Sequence, residues 1–266
     1  MSVNIREKYQ YVLYEKRERV AYVTINRPEV MNAIHPPALA ELNEVWTDFI
    51  ENDDLWVAIL TGAGERAFSA GADLKYFAQE EHAQYLRQPD KRQEHILDRC
   101  FKPVIAAVNG YAVGGGLEMA LRCDIIIAAE HAKLGLPEPR RGLLADTGGV
   151  LKLPRRIPFH IAMGLILTGQ FISAQEAHRI GLVNEVVPLS NLKETAEGWA
   201  NEILKCAPLS VQAAKQIVYE SMDPAKEITA ETIEQLELVQ RFRSSEDYRE
   251  GPRAFAEKRE PVWKGR

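Results

Sequence analysis

The pattern of hydrophobic and polar positions predicts a layered α/β core in the first half of the chain. Four short runs are β-rich or nearly all apolar, as is typical of strands covered on both faces: residues 20–25, 56–61, 104–108 and 125–129. Apolar residues recur at helical spacing over residues 37–50, and a short helix fits residues 117–121. Because strands and helices alternate, we expect an α/β fold.

The second half of the chain is mostly helical in its pattern. From about residue 159 onward the apolar positions follow helical spacing, most clearly in four segments: residues 190–206, 208–221, 224–242 and 245–258. The composition does not change sharply along the chain. On the pattern alone we divide it into a core of residues 1–200 and a helical C-terminal region of residues 201–266.

Three consecutive glycines, residues 114–116, precede a short apolar run that contains the single acidic residue Glu118. Glycines at the start of a helix leave backbone N–H groups uncovered, and such groups stabilise an anion. Because Glu118 follows Gly115 by three residues, a helix would direct its carboxyl group to nearly the same face. The alternative is that the glycines allow close packing and that Glu118 interacts with the helix dipole.

Two further segments offer comparable chemistry. Residues 67–74 are small side chains around Gly71, followed by Asp73, and they predict a loop with exposed backbone amides or a tight loop with an N-cap aspartate. Glu138 lies between Pro137 and Pro139, which stiffen the backbone on both sides. It is either a carboxyl group held in position for chemistry or an exposed glutamate in a turn.

Charge and composition exclude several classes of protein. The net charge of −5 gives no support for nucleic-acid binding. Three widely spaced cysteines predict neither a disulfide framework nor a zinc site, so we expect a cytoplasmic protein. The six histidines show no metal spacing, and no apolar run reaches the roughly 18 residues that span a bilayer. We therefore expect no metal and no membrane association.

Together these segments resemble the crotonase superfamily, the family of the enoyl-CoA hydratases, over nearly the whole chain. The resemblance rests on motifs in the family's order: residues 26–33, 67–75, 102–110, 114–118, 123–124, 135–138 and 174–183. It implies a core of repeated ββα units arranged as a spiral. It also implies a helical C-terminal region that builds a homotrimer, which in this family commonly stacks into a homohexamer.

The resemblance also implies an active site. Backbone N–H groups of Ala72 and Gly115 would form an oxyanion hole for the thioester oxygen of an acyl-CoA. Glu118 would act as the base toward water and Glu138 as the acid toward Cα. Coenzyme A is then part of the substrate, and no separate cofactor is expected.

Further substrate contacts follow from the resemblance. The residues expected to contact the acyl-CoA within one subunit are Arg27, Val30, Ala33, Ala70, Asp73, Leu74 and Pro137. Phe255 and Lys258 would reach the CoA of a neighbouring subunit, although Lys258 is equally well explained as a solvated lysine. Asp146 would raise the pKa of Glu138 by repulsion, bind a polar acyl tail, or cap a helix.

The presence of both glutamates favours an enoyl-CoA hydratase or dehydratase, a hydro-lyase in the setting of fatty acid metabolism. An enoyl-CoA isomerase of the same fold is an alternative, because one carboxylate near Cα suffices to move a proton. A non-catalytic RNA-binding or scaffold member is a weaker one. The turn at residues 146–149 resembles that of dehydratases acting on polar acyl-CoAs, including the carnitinyl-CoA type, which leaves the acyl group open.

Overall fold

Ten strands form two sheets in a computed structural model, which describes residues 9–79, 95–222 and 229–266. The strands are β1 Val12–Arg17, β2 Val20–Ile25, β3 Val57–Gly62, β4 Ala67–Ser69, β5 Val104–Val108, β6 Tyr111–Val113, β7 Ile125–Ala129, β8 Lys133–Gly135, β9 Phe171–Ser173 and β10 Glu185–Val187. The larger sheet has the order β1-β2-β3-β5-β7-β10, and the smaller has the order β4-β6-β8-β9. Only the pairs β1–β2 and β8–β9 are antiparallel among these strands.

Helices cover the sheets and make up most of the second half of the described chain. They are α1 Pro36–Glu51, α2 Leu74–Phe77, α3 Gly115–Ala120, α4 Gly149–Lys152, α5 Phe159–Thr168, α6 Ala174–Arg179, α7 Leu192–Leu204, α8 Pro208–Ser221, α9 Ala230–Glu234, α10 Glu237–Ser244 and α11 Glu246–Glu257. Helix α8 is joined to the core by an ion pair of 2.7 Å between Lys215 and Asp124.

The chain moves repeatedly from the larger sheet to the smaller one and then into a helical segment. It passes from β3 to β4 and α2, then from β5 to β6 and α3, and then from β7 to β8 and a 3₁₀ turn. This is the repeated ββα spiral, so the α/β crotonase-type fold class is confirmed. Because β4, β6 and β8 are neighbouring parallel strands, the segments that follow them emerge at one edge of the smaller sheet.

Two apolar clusters cover the larger sheet. The main one lies between the sheets and α1 and includes the fully buried Trp46, Phe49 and Phe68. The second lies on the opposite face, where Leu192 and Ala196 of α7 pack on the sheet. Both faces of the central strands are therefore covered, which is why their sequences are nearly all apolar.

Several predicted elements differ from the structure. The segment at residues 67–74, expected as a loop, begins with strand β4, which is too short to show a period-two pattern. The helix expected over residues 224–242 is also wrong within the described residues. A capping box at Thr229 starts α9, and Leu236 is extended before α10 begins. Residues 223–228 lie outside the described residues.

Candidate active site

Ala72 and Gly115 lie close together at the edge of the smaller sheet. Ile34 and Ala72 form a parallel β-bridge. The N–H of Ile34 donates to the carbonyl of Gly71 at 2.7 Å, and the carbonyl of Ile34 accepts from the N–H of Asp73 at 2.9 Å. Because the neighbours of Ala72 make these bonds, the N–H of Ala72 itself is directed away from the bridge. Gly115 is the first residue of α3, where an N–H has no acceptor in its own helix. A methyl group built on Gly115 would lie 3.6 Å from the nitrogen of Ala72.

The glycines next to these amides have different tasks. Gly71 and Gly114 adopt left-handed φ values of 81° and 57°, which disfavour any residue with a Cβ. A methyl group on Gly71 would lie 2.6 Å from the nitrogen of Gly115. One on Gly116 would lie only 2.0 Å from the carbonyl oxygen of Ser69. The close-packing interpretation therefore applies to Gly116, whereas the anion-binding role of Gly115 stays a prediction.

The carboxyl group of Glu118 is buried, with 3% of the residue exposed, and is held by two donors. Its Oε1 accepts a hydrogen bond of 2.8 Å from the N–H of Gly149, and its Oε2 accepts one from the hydroxyl of Thr147. Two donors directed at one carboxyl group suit an ionised carboxylate, which only accepts hydrogen bonds. The same Oε2 lies 3.8 Å from the position that a Cβ on Gly115 would occupy.

Glu138 begins the 3₁₀ turn after β8 and is half-buried. Its Oε1 lies 3.1 Å from the position that a Cβ on Gly114 would occupy, and its Oε2 is buried without a hydrogen-bond partner among the described residues. Burial raises the pKa of Glu138 to about 7, and repulsion by Glu118 adds to the effect. The repulsion therefore comes from Glu118, whereas the sequence had suggested Asp146 as its source.

The two carboxyl groups come from different elements, Glu118 from α3 and Glu138 from the 3₁₀ turn after β8. They lie beside adjacent glycines and have different environments. Glu118, beside Gly115, has both oxygens in hydrogen bonds. Glu138, beside Gly114, has a pKa near neutrality. Such a pair can divide the work of base and acid, because one group is held as an acceptor while the other exchanges its proton near neutral pH.

Some of the residues expected to contact CoA lie together, next to Ala72. Arg27 pairs with Asp73 at 3.0 Å and donates to the carbonyl of Ala33 at 2.5 Å. Asp73 also caps α2, since its Oδ1 accepts from the N–H of Tyr76 at 3.2 Å, so the N-cap interpretation of Asp73 is confirmed. The other members of the set in this region are Val30 and Ala70, both half-buried, and Leu74, which is 43% exposed.

The remaining predicted residues lie in two places. Pro137 precedes Glu138 and is half-buried, as is Asp146 in the turn before Thr147. Phe255, which is 87% exposed, and Lys258 lie at the C-terminal end of α11. Neither of these two residues takes part in the hydrogen bonds of the site described above, and their contact with a neighbouring subunit stays a prediction.

The sequence did not identify the groups that hold Glu118. Thr147 and Gly149 belong to the turn at residues 146–149, which was noted only for its resemblance to other family members. Their hydrogen bonds to Glu118 depend on the approach of this turn to α3, which the sequence does not reveal. Arg122, which donates to the carbonyl of Glu118 at 3.0 Å, follows it by four residues, in the turn after α3. That spacing was a signal that could have been used.

Comparison with known proteins identifies the family of this chain. Residues 15–266 match the family described as enoyl-CoA hydratase/isomerase. The chain is 45% identical to the (E)-benzylidenesuccinyl-CoA hydratase of Thauera aromatica, with 96% of this chain and 99% of that protein covered. It is 43% identical to the carnitinyl-CoA dehydratase of Salmonella typhimurium, with 92% and 94% covered.

Solved structures of enoyl-CoA hydratases also match this chain. An enoyl-CoA hydratase from Mycobacterium marinum has a TM-score of 0.85 at 40% identity, with 96% of this chain and 99% of that chain covered. An enoyl-CoA hydratase from Bacillus anthracis has a TM-score of 0.87 at 38% identity, with 97% and 100% covered. The chain therefore belongs to the enoyl-CoA hydratase/isomerase family. Its class is that of the hydro-lyases, the enoyl-CoA hydratases and dehydratases.

None of the helices in the described residues has the length and apolar character needed to cross a bilayer.

Proposed function

We propose that this protein adds water to a 2-enoyl-CoA, or removes it from a 3-hydroxyacyl-CoA, with Glu118 and Glu138 as the catalytic residues. The observation that carries the proposal is the unequal environment of the two carboxyl groups beside one glycine segment. Glu118 accepts hydrogen bonds at both oxygens, whereas burial raises the pKa of Glu138 to about 7. Hydration needs one proton acceptor and one proton donor at adjacent carbon atoms.

In the hydration direction Glu118 takes a proton from water as the water oxygen bonds to Cβ. The π electrons of the C=C bond move toward the thioester, and Cα takes the proton from Glu138. The proton gained by Glu118 and the proton lost by Glu138 balance, so exchange with solvent restores the resting state. Dehydration runs through the same groups in reverse, with Glu138 taking the Cα proton.

The backbone amides of Ala72 and Gly115 are proposed to bind the thioester oxygen. Negative charge grows on that oxygen as Cα gains enolate character. Support comes from the closeness of the two residues and from the direction of the Ala72 N–H, away from its bridge with Ile34. In known systems one such donor contributes roughly 2.7–4 kcal/mol to the catalysed step.

The substrate is proposed to be a CoA thioester with a polar acyl group. The two named relatives act on benzylidenesuccinyl-CoA and carnitinyl-CoA, which both carry charged or polar groups beyond the thioester. Asp146 is the half-buried acid that we propose to face the acyl tail. Arg27 is paired with Asp73, so we propose that it shapes the CoA site through this pair rather than as an isolated charge.

We propose a homotrimer or a stacked homohexamer in which Phe255 and Lys258 of one subunit approach the CoA bound by its neighbour. The support is that the aromatic side chain of Phe255 is 87% exposed and so is accessible to a second subunit. Light scattering during size-exclusion chromatography would measure the mass. A monomer that remained fully active would contradict the proposal.

The function is tested with a panel of 2-enoyl-CoA thioesters of different length and polarity. The assay follows the loss of absorbance of the conjugated thioester, and the product is identified by mass. We expect addition of one water molecule, fastest for a polar acyl group. A 3-enoyl-CoA is supplied in parallel. Faster conversion of that substrate to the 2-enoyl isomer would instead identify an isomerase, and no turnover of any thioester would contradict the proposed function.

A further inference from the structure

We infer that Arg122 is a positioning residue for Glu118. It lies four residues after Glu118, in the turn that follows α3, and only 7% of it is exposed. Its guanidinium donates to the carbonyl of Glu118 at 3.0 Å and to the carbonyl of Thr147. Arg122 therefore connects the helix that carries the proposed base to the turn that supplies both donors to its carboxyl group. This inference rests on the proposed function of Glu118.

The guanidinium itself is fixed from the other side. Its Nε lies 3.3 Å from Oδ2 of Asp98, and Lys152 pairs with Oδ1 of the same carboxylate at 2.8 Å. Asp98 thus pairs with two cations, Arg122 from the turn after α3 and Lys152 from α4. Helix α4 begins with Gly149, whose N–H donates to Glu118. The ion pairs of Asp98 with Arg122 and Lys152 therefore hold α4 in place beside Glu118.

The turn is shaped to accept this side chain. Gly148 has a φ of 133°, and a methyl group there would lie 3.2 Å from Nη2 of Arg122. A glycine at this position leaves room for the guanidinium next to the backbone of the turn. Arginine suits the task because its planar fork donates to several acceptors in a fixed geometry, which a lysine cannot do.

Loss of Arg122 is expected to affect the rate of catalysis rather than substrate binding. If the turn moves, the hydroxyl of Thr147 and the N–H of Gly149 no longer hold the carboxyl group in one orientation. Misplacement of a catalytic group by about 1 Å lowers a rate by as much as roughly 100-fold, while contacts to the CoA portion remain. We therefore expect a loss in kcat with little change in KM.

The test is a double-mutant cycle with Arg122→Met, Thr147→Val and the double variant, assayed for hydration of the best enoyl-CoA. Each single variant is expected to lower kcat by roughly 10- to 100-fold, and the double variant is expected to be little worse than the more severe single one. Lys215→Met removes a different ion pair, that with Asp124, and serves as the matched control. It is expected to lower Tm but to leave kcat within about twofold.

Unchanged kcat in Arg122→Met, or losses that add fully in the double variant, would overturn the inference. If Arg122→Met fails to fold, Arg122→Lys is used instead. It keeps a positive charge beside Asp98 but lacks the planar guanidinium that donates to both carbonyls, and the same lowered kcat is expected. A crystal structure of the folded variant gives a result independent of turnover: Thr147 is expected to move out of hydrogen-bond range of Glu118, and an unmoved turn would contradict the inference. Inactivity of the wild-type protein would instead count against the proposed function alone.

Discussion

The backbone N–H of Gly149 donates a hydrogen bond of 2.8 Å to Oε1 of Glu118. The two residues are far apart in sequence, and their contact joins the first turns of α3 and α4. Because a backbone donor carries no side-chain freedom, it fixes one oxygen of the carboxyl group without ordering a flexible group. The other oxygen is held by Thr147, so the orientation of Glu118 is set before any substrate binds.

The first prediction concerns the proton donor. Glu138→Gln keeps the size of the side chain but cannot supply a proton to Cα. We expect kcat for hydration to fall by roughly 100- to 10,000-fold, the range for loss of general acid catalysis. Binding of the acyl-CoA, measured by calorimetry, should stay within about threefold because the amides and the CoA contacts remain. The exposed Glu202→Gln is the matched control, and an active Glu138→Gln enzyme would refute the assignment.

The second prediction concerns the pH dependence of the two reaction directions. Because the pKa of Glu138 is about 7, its protonated form prevails below neutrality and its ionised form above. Hydration uses the protonated form, so its kcat/KM should fall as pH rises from 6 to 9 with a midpoint near this value. Both directions use the glutamate pair with one proton in total, and the overall reaction releases no proton, so kcat/KM for dehydration should fall in parallel over the same interval. A kcat/KM for hydration that stays constant between pH 6 and pH 9 would contradict the role given to Glu138.

The third prediction concerns stability. The pKa of Glu138 in the folded chain is raised from 4.5 to about 7, so the native state binds this proton more tightly than the unfolded chain does. Its stabilising contribution is thus fully present below about pH 4.5 and is lost as pH rises through about 7. Glu138→Gln removes the cost of ionisation, and its Tm relative to wild type should increase between pH 5 and pH 8. A difference that stays constant over this range would show that the carboxyl group is not perturbed.

The fourth prediction separates the structural glycine from a permissive one. In Gly116→Ala the new methyl group would lie 2.0 Å from the carbonyl oxygen of Ser69, so α3 must move away from β4. We expect a loss of roughly 1–3 kcal/mol or more in the free energy of unfolding. Gly164→Ala in α5 is the matched control, since a methyl group there has no neighbour within 4 Å. Urea unfolding should show Gly164→Ala unchanged or stabilised, and equal stabilities for the two variants would contradict the close packing.

Buried strands were the most predictable part of the fold. Strands β5 and β7 and helix α8 have the limits expected from their sequences, because apolar runs and a helical period bounded by turn residues are local signals. Strands β4, β6 and β8 have three residues each, and a period cannot be read from so few positions. Yet these short strands set the edge at which the site lies.

The candidate site was only partly accessible to sequence reasoning. The closeness of Gly115 and Glu118 follows from helix geometry, and the stiffened position of Glu138 follows from its flanking prolines. The pKa of Glu138 depends on burial and on the distance to Glu118, which are properties of the folded chain. The hydrogen bonds from Thr147 and Gly149 likewise join segments whose approach has no local signature.

The central claim is tested most directly by a crystal structure of the protein with a bound, unreactive acyl-CoA thioester. The account predicts that the thioester oxygen lies about 2.7–3.1 Å from the backbone nitrogens of both Ala72 and Gly115. It also predicts that the carboxyl groups of Glu118 and Glu138 lie on either side of Cα and Cβ, close enough to share one water molecule. A thioester oxygen bound elsewhere, or one glutamate directed away from these carbon atoms, would contradict it.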